Sequence, residues 1–450
     1  MLFKESISDI QVSEKLTNLS LVVEDGIIYN SDIENRLYIT FSGTDLIISD
    51  QLAEIEKEHK IAVDKDSAEF YRRFGFIAPP FTLYKGVYVL APYVGISLIP
   101  PFSCVTRYPE VGMNHNDKIN IRHDIQEDIR NSLNKVSGSF RVLFSGGLDS
   151  SLLLAVAHEM GKIEVALNCF MSSMPEESIR AEKMCRSKNI TFHKEQIYGD
   201  LTEIARMFID LTREPVADKI ALVIPAMLSK SNAKKSTTIL DGQGADSLFS
   251  GLPQDKLYDL YCKTHCRYLG ILLGWMPVWK KKNTTLGRKL YRVTKVLHCL
   301  KAPGPVSMFI RSLVENEASK LSAGNRVQKW VNKELHSLHD GLGDFHLVIR
   351  YFFMFRVLPS REMQKYAISQ SLGYVFKLPF LEKEMINKYF YVPPSFSINE
   401  RAYKYPIVSA AKKYWPGYFS SSRTSPFQVE FDTGGKSVSE FSLSYISDFK

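Results

Sequence analysis

The sequence predicts an α/β fold, in which a parallel sheet flanked by helices is preceded by a small strand-rich domain and followed by a helical subdomain. Short apolar strands alternate with helical segments from residue 121 onward, and glycine-containing turns follow two of the strands. This alternation is typical of a parallel sheet, which binds ligands at the carboxyl ends of its strands. After residue 252 the pattern becomes mostly helical, which predicts the C-terminal subdomain.

The elements of the α/β region follow from the period of the apolar residues. Helical spacing predicts helices at 121–135, 151–160, 176–188, 201–212 and 221–230. Short apolar runs predict strands at 140–144, 163–167, 190–197 and 237–240. A further helical pattern predicts one long helix around 344–371.

Residues 1–115 have a different pattern, in which short apolar runs alternate with turns. Examples are Leu37–Phe41, Leu46–Ile48 and Gly86–Leu90. Such runs, bounded by turn residues, are typical of strands. We therefore predict a small strand-rich domain over 1–115 and a second domain over 116–450.

The segment Arg141–Ser151, with the sequence RVLFSGGLDSS, predicts a buried strand that turns through two glycines into a helix. Gly146 and Gly147 allow a tight turn and a close approach of the backbone to a ligand. The free N–H groups and the positive dipole end of the helix favour an anion such as phosphate. Serine hydroxyls add donors, and Asp149 is suited to a hard cation that bridges to phosphate oxygens. The loop is not a Walker motif, because the Gly-Lys-Ser/Thr ending is absent.

A second strand and turn, Ile239–Gly251, has the sequence ILDGQGADSLFSG. Gly242 and Gly244 turn the chain, and Asp246 lies at the predicted start of a helix. A carboxylate here could bind the opposite side of a metal ion held by Asp149. Because the phosphates of ATP are usually bound together with magnesium, the two motifs predict an ATP site with Mg²⁺ between Asp149 and Asp246.

These segments resemble known motifs. SGGLDS is similar to the pyrophosphate loop of enzymes that split ATP into AMP and pyrophosphate, and GQGADS is similar to the Gly-x-Gly-Ala-Asp-Glu signature of the asparagine synthetase family. Glu214–Asp218 resembles the family's Asp-Pro-x-x-Asp element, and Lys377–Glu382 resembles its Arg-x-Pro-Phe-Leu-Asp element. The four elements occur in the family's order. The resemblance implies an adenine-nucleotide α-hydrolase-like fold and amide synthesis through an acyl-adenylate.

The predicted site combines the two motifs with the resemblance. ATP and its pyrophosphate are expected to contact Leu143, Ser145, Gly146, Gly147, Leu148, Asp149, Ser150, Ser151, Leu167 and Gly242. Leu167 is included because the resemblance places the end of the second strand near adenine. The predicted catalytic residues are Asp149, Asp246, Gln243, Lys404 and Tyr366. Lys404 begins a segment that resembles the family's Lys-x-x-Leu-Arg element.

Two departures from the family pattern bear directly on the chemistry. The family's glutaminase domain starts with a nucleophilic cysteine at position two, where this chain has Leu2, so residues 1–115 are predicted to form a reduced, inactive glutaminase-like domain. Gln243 stands where asparagine synthetases have Glu and β-lactam synthetases have Tyr, and an amide cannot act as a base. The base that accepts the proton of the amine therefore stays open, with Lys365, Tyr366 and Tyr374 as candidates.

Composition narrows the class of protein. The chain has 450 residues and a net charge of +8, and it lacks a long apolar stretch or a secretion signal, which predicts a cytoplasmic protein without a transmembrane segment. The basic, aromatic segment 275–301 could bind nucleic acid, a membrane surface or a peptide, or could be a solvated helix. Nucleic acid is not the expected partner. The six cysteines are scattered, and Cys262 and Cys266 lack a second ligand pair at metal-binding spacing.

Three functions are compatible with these residues. The first is an amide synthetase of specialised biosynthesis, in its sharpest form the macrolactam cyclase of a lasso-type peptide, with a precursor peptide and its leader-processing protease as partners. Such cyclases resemble asparagine synthetase and lack the nucleophilic cysteine. The second is an ammonia- or small-amine-dependent enzyme acting on an amino acid or sugar acid. The third is a catalytically silent binding relative, against which Asp149 and Asp246 argue.

Overall fold

The computed structural model describes residues 2–6, 21–30, 36–43, 45–98, 104–107, 121–170, 175–197, 201–230, 237–279, 285–398, 403–418 and 438–447. It has the predicted α/β fold. A five-stranded parallel sheet is flanked by helices, the N-terminal region is rich in strands, and the second half is mostly helical.

The N-terminal region contains two antiparallel four-stranded sheets, with strand orders β1-β5-β4-β6 and β2-β3-β7-β8. The strands are β1 (Leu2–Ser6), β2 (Leu21–Glu24), β3 (Ile27–Asn30), β4 (Leu37–Ser42), β5 (Asp45–Ser49), β6 (Val87–Leu90), β7 (Val94–Ser97) and β8 (Cys104–Thr106). Alternate side chains of the first sheet point to opposite faces. Ile39 and Ile48 belong to a core shared with the second sheet, whereas Tyr38 and Ile47 belong to the main core of the chain. The N-terminal region is therefore packed against the rest of the protein.

The central sheet has the strand order β11-β10-β9-β12-β13. Its strands are β9 (Phe140–Leu143), β10 (Ile163–Phe170), β11 (Phe192–Gln196), β12 (Thr238–Leu240) and β13 (Phe376–Lys377), and every neighbouring pair is parallel. Strands covered by helices on both faces are apolar, as Phe140, Val142 and Ile239 illustrate by being fully buried. Because β9 and β12 are neighbours in the sheet, the turns that follow them start side by side.

The helices are α1 (Leu52–Glu58), α2 (Lys65–Phe74), α3 (Ile121–Asn134), α4 (Leu148–Glu159), α5 (Pro175–Ser187), α6 (Thr202–Thr212), α7 (Val223–Lys230), α8 (Ala245–Leu248), α9 (Pro253–Cys262), α10 (Thr264–Leu273), α11 (Thr285–Leu300), α12 (Pro305–Leu313), α13 (Arg326–Leu342), α14 (Phe345–Phe352), α15 (Leu358–Arg361), α16 (Gln364–Ser371), α17 (Lys383–Tyr389), α18 (Pro394–Ser397), α19 (Tyr405–Tyr414) and α20 (Val438–Ser447). Short 3₁₀ turns occupy Lys219–Leu222 and Pro379–Leu381. Among the described residues between 121 and 240, the predicted helices and strands are present with small shifts at their ends.

Two predicted boundaries next to the site are wrong. Helix α4 begins at Leu148 rather than at residue 151, because Gly147 with extended dihedral angles is its N-cap. Asp149 therefore lies in the first turn of the helix and not in the loop before it. Strand β10 continues to Phe170 instead of ending at 167, because β11 pairs with its last residues.

The long helix predicted around 344–371 is interrupted. A π-helical turn at Phe353–Val357 follows α14, and α15 and α16 continue from it in two short pieces. Pro359 has no N–H group to donate to the preceding turn, which accounts for the irregular hydrogen bonding just before it. Within the π turn, Arg356 is fully buried and donates to the carboxylate of Glu334.

Candidate active site

The loop between β9 and α4 has the predicted shape of an anion site. Gly146 has φ +77°, a conformation that side-chain-bearing residues rarely adopt, and a Cβ atom there would lie 3.2 Å from Cβ of Ala181. Gly147 caps α4 without a side-chain hydrogen bond to the helix end. The first N–H groups of α4 are thus directed toward the loop, where an anion can accept from them.

Serine hydroxyls surround this helix end. The backbone N–H of Gly147 donates to Oγ of Ser145 at 3.2 Å, and the hydroxyls of Ser145 and Ser150 lie 3.3 Å apart. The hydroxyl of Ser151 is buried and has no hydrogen-bond partner within the described part of the chain. Polar groups in this arrangement fit the phosphates of ATP, since each oxygen of a polyphosphate can accept several hydrogen bonds.

The second loop, between β12 and α8, contacts the first turn of α4. A Cβ atom on Gly242 would lie 3.0 Å from Cβ of Asp149, so glycine allows the loop to approach the helix closely. Gly244 has φ +98°, and a side chain there would collide with Leu381. Helix α8 begins directly after this glycine and carries Asp246 in its first turn, as predicted.

Lys404 joins the two predicted metal ligands. Its Nζ atom lies 2.7 and 2.6 Å from the two carboxylate oxygens of Asp149 and 2.7 Å from Oδ1 of Asp246. The ammonium group therefore lies between the two carboxylates, where the sequence predicted magnesium. Helix α19, which follows Lys404, packs on α4, and the indole of Trp415 donates to the carbonyl of Ser151. This packing holds the lysine in place.

Burial and the neighbouring charges shift the pKa values of Asp149 and Lys404. Burial raises the pKa of Asp149 to about 6, and the positive charge of Lys404 opposes that shift only in part. Burial by itself would lower the pKa of Lys404, but the charges of Asp149 and Asp246 outweigh it and raise the pKa. Lys404 is consequently a permanent cation at neutral pH.

Tyr366, another of the predicted catalytic residues, and Lys365, one of the candidate bases, both contact Asp241, the residue directly after β12. The hydroxyl of Tyr366 donates to Oδ2 of Asp241 at 2.6 Å, and Nζ of Lys365 lies 3.0 Å from the same oxygen. Lys365 also donates to the side-chain oxygen of Gln243 at 2.7 Å. Sequence reasoning missed Asp241, although its position at the carboxyl end of a parallel strand was a usable signal.

Some of the remaining predicted residues lie at the site, and one lies in the core. Leu143 and Leu167 are paired neighbours at the site edge of β9 and β10, and both are buried. Leu148 is the first residue of α4. Tyr374, in contrast, donates its hydroxyl to the carbonyl of Leu228 and is buried, so that candidate base is a core residue bonded to the backbone.

A family model for asparagine synthase matches residues 122–444. The chain belongs to the asparagine synthase family. The matched range includes both loops and Lys404.

Two individual proteins illustrate the similarities of this asparagine synthase family member. Asparagine synthetase [glutamine-hydrolyzing] 1 of Bacillus subtilis (strain 168) is 24% identical over 243 residues, which cover 50% of this chain and 35% of that relative. The chain thus matches about a third of that relative's length. A structure of the glutamine-dependent NAD+ synthetase from Acinetobacter baumannii in complex with adenosine diphosphate aligns with 72% of this chain and 54% of its own, at 15% identity and a TM-score of 0.23.

A magnesium ion fits the chemistry of the family member's carboxylates. Asp149 and Asp246 present hard oxygen donors around one point. Within the described ranges, no group of three or more His, Cys, Asp or Glu side chains is placed to hold a metal. The pair would therefore need phosphate oxygens and water to complete a magnesium shell. No helix in those ranges is long and apolar enough to cross a membrane.

A polar cluster beside Lys404 was not found by sequence reasoning. The hydroxyl of Tyr403 donates to Asp259, whose other oxygen lies 3.1 Å from Nε2 of His346. Nδ1 of the same histidine lies 3.0 Å from Asp255. These contacts link the residue before Lys404 to helices α9 and α14. A histidine between two aspartates that are distant in sequence leaves no local motif by which to predict it.

Proposed function

We propose that this chain is an ATP-dependent amide-bond-forming synthetase. A substrate carboxylate attacks the α-phosphorus of ATP, pyrophosphate leaves, and an amine then displaces AMP from the acyl-adenylate. The observation that carries this proposal is the convergence of the Ser145–Gly147 loop, the first turn of α4 with Asp149, Asp246 and Lys404 at the carboxyl edge of the central sheet. A polyphosphate site and a fixed cation are what adenylation needs from a protein.

The residues divide the work of the first step. The N-terminus of α4 and the serine hydroxyls bind and orient the phosphates. The ammonium group of Lys404 supplies a positive charge. Its position is fixed by the packing of helix α19 and by the two carboxylates. Magnesium would share Asp149 and Asp246 with Lys404 or displace the lysine from them, and it would neutralise charge on the departing pyrophosphate.

The second step requires a proton acceptor, and Gln243 cannot serve as one. We assign the proton transfer to Tyr366 and Asp241. The phenol accepts a proton from the attacking amine while its own proton passes to the carboxylate 2.6 Å away. Lys365 fixes the relative positions of the Asp241 and Gln243 side chains through contacts of 3.0 and 2.7 Å. This pair takes over the role that a single acidic or phenolic side chain has at position 243 in relatives.

A cavity of about 520 Å³ adjoins Tyr366 and supports a substrate larger than ammonia. It lies between the N-terminal region and the synthetase region, and its lining includes Tyr38, Phe208, Met363, Tyr366, Gln370 and Phe376. The volume is in the range of pockets for small organic ligands. The lining also includes the charged residues Arg36, Asp50 and Glu214, and this mixture of apolar, amide and charged side chains suits an amino acid or a short peptide segment. We therefore propose a peptide substrate that is closed into a macrolactam, with a lasso-type precursor peptide and its leader-processing protease as partners.

Mass spectrometry of nucleotide products tests the proposal. The protein is incubated with ATP, MgCl₂ and a pool of candidate carboxylates, amines and precursor peptides. Release of AMP and pyrophosphate, together with a peptide product lighter by one water, is the expected result. ADP and phosphate would exclude adenylation. AMP formation that requires only ammonium and a small acid would replace the macrolactam proposal by the ammonia-dependent one, and the absence of any substrate-dependent cleavage would leave the silent binding relative.

A further inference from the structure

An exposed apolar surface is formed by residues that take no part in the chemistry just described. Sixteen large hydrophobic side chains are exposed in the described parts of the chain, and nine of them fall within residues 268–293. The nine are Tyr268, Leu269, Ile271, Leu272, Leu273, Trp275, Trp279, Leu286 and Val293. They lie on α10, on the turn after it and on α11, which together we name the hairpin surface. Apolar side chains gathered in this number mark a binding surface rather than chance exposure.

The exposure of apolar side chains is clearest on helix α10. Of its ten residues only Gly270 is buried, and Leu272 is 68% exposed. A helix that is apolar around much of its circumference is unstable in water unless something covers it. Trp275, at 72% exposure, extends the same surface past the end of the helix.

The contact between the two helices explains why so many side chains are left outward. A Cβ atom on Gly270 would lie 2.5 Å from Leu300, and one on Gly274 would lie 2.8 Å from the carbonyl of Leu297. The helices therefore approach through glycines spaced four residues apart, and the large side chains take little part in the contact. Close packing of helices through small residues at this spacing is common inside membranes.

The positive charge of this region indicates which class of partner the hairpin surface binds. Residues 260–314 contain eleven Lys or Arg and no Asp or Glu, while the whole chain has a net charge of only +8. The rest of the chain is thus net negative, and the basic excess is confined to this region. Within the described part, Arg267, Lys289 and Arg292 are exposed on α10 and α11. Basic side chains beside tryptophan, tyrosine and leucine are the composition of helices that lie in the interface of anionic membranes.

We propose that the hairpin surface binds the face of an anionic lipid bilayer, with α10 and the tryptophan turn inserted to headgroup depth. Nucleic acid would engage the basic residues but leave the leucines and isoleucines in water. A protein interface would bury an apolar centre, from which charged side chains are depleted. Because no described helix can span a bilayer, the protein would lie on the membrane. The binding is independent of the proposed amide synthesis.

Vesicle binding by the full chain tests this proposal. Flotation with phosphatidylcholine vesicles and with phosphatidylcholine–phosphatidylglycerol vesicles is expected to recover the protein only with the anionic lipid, and less of it at high salt. The intrinsic fluorescence should shift to shorter wavelength on binding. The chain has four tryptophans, of which Trp415 is already buried and Trp330 partly buried, so the shift reports mainly Trp275 and Trp279.

Matched variants distinguish binding through the hairpin surface from nonspecific adsorption to vesicles. The double variant Trp275→Ser/Trp279→Ser and the charge reversal Lys289→Glu/Arg292→Glu should each weaken binding by at least about tenfold. Phe396→Ser, at 48% exposure elsewhere on the surface, and Lys329→Glu/Lys333→Glu on α13 should not.

Three results would overturn the proposal. They are failure to bind anionic vesicles, binding that the tryptophan variants leave intact, and a self-associated state in sedimentation that those variants dissolve. Unchanged far-UV circular dichroism shows that the variants fold.

Discussion

The ammonium nitrogen of Lys404 lies 2.6 Å from Oδ2 of Asp149, although the two residues are 255 positions apart in the chain. The same nitrogen contacts Asp246 at 2.7 Å. One cation thus neutralises part of a carboxylate pair that would otherwise repel. Any divalent cation that binds these carboxylates must compete with the lysine or displace it.

This competition predicts how Lys404→Met behaves. The variant keeps the aliphatic side chain but removes the cation, and we expect a loss of about 2 kcal/mol in the free energy of unfolding, because Asp246 is half exposed and partly screened. MgCl₂ should then raise the Tm of the variant more than that of the wild type, since no ammonium competes for the carboxylates. Thermal denaturation with and without MgCl₂ measures both effects.

The control is Lys388→Met, which removes a 2.7 Å ion pair with Asp128 away from the site. Its Tm should respond to MgCl₂ as the wild type does. Equal magnesium shifts for Lys404→Met and the wild type would show that the metal does not share the lysine's position.

The carboxylates themselves give a second prediction. Asp149→Asn and Asp246→Asn keep the side-chain shape and remove the charge, so each should lower AMP formation by at least about a hundredfold while the protein stays folded. Pyrophosphate release is the measurement, with Asp340→Asn on the exposed side of α13 as the control. Turnover at the wild-type rate in either site variant would contradict the assignment of both residues to the metal.

Tyr366 separates the two chemical steps. Tyr366→Phe keeps the buried ring and removes only the hydroxyl that donates to Asp241. We expect substrate-dependent exchange of pyrophosphate into ATP to persist, while amide formation falls by about a hundredfold, because the proton acceptor of the second step is lost.

Tyr374→Phe is the matched control for Tyr366→Phe. It removes a hydroxyl that bonds the carbonyl of Leu228 in the core, so its effect should be a stability loss of about 1 kcal/mol with both steps intact. Equal losses of both steps in Tyr366→Phe would assign the residue to structure or to adenylation instead.

His346 gives the protein a pH-dependent stability. Burial by itself would lower the pKa of His346, but the hydrogen bond and charge of Asp255 and the charges of Asp259 and Asp344 raise it. The ring of Tyr258 packs edge-on against the imidazole. A histidine whose pKa is raised by folding stabilises fully below its unfolded value of about 6.5, and that contribution disappears as the pH rises through the folded pKa.

We therefore expect the Tm difference between wild type and His346→Gln to be largest below about pH 6.5 and to shrink as the pH rises above that value and through the folded pKa. Thermal denaturation across this range measures it. His336→Gln, at an exposed position on α13, should follow the wild type throughout. A Tm difference that stays constant with pH would show that the imidazole is not charged between its aspartates.

The comparison of sequence and structure is clearest at the two loops. Gly146 and Gly244 could be recognised from the chain alone, because a glycine that turns a strand into a helix acts through its own backbone angles, φ +77° and +98° here. The start of α4 was misplaced by three residues, since the N-cap is a glycine and leaves no side-chain signal. The extension of β10 to Phe170 depended on its neighbour β11, which is not a local property.

The sequence by itself therefore determined the fold class, the order of strands and helices between residues 121 and 240, and both glycine loops, because each of these follows from short-range patterns of polarity and backbone freedom. Only the tertiary structure placed Lys404 between Asp149 and Asp246, joined Tyr366 and Lys365 to Asp241, and enclosed His346 between two aspartates. These contacts connect residues from different elements, and a carboxylate accepts any well-placed donor. The packing of the helices and strands, and not the residue type, therefore determines which donor each carboxylate contacts.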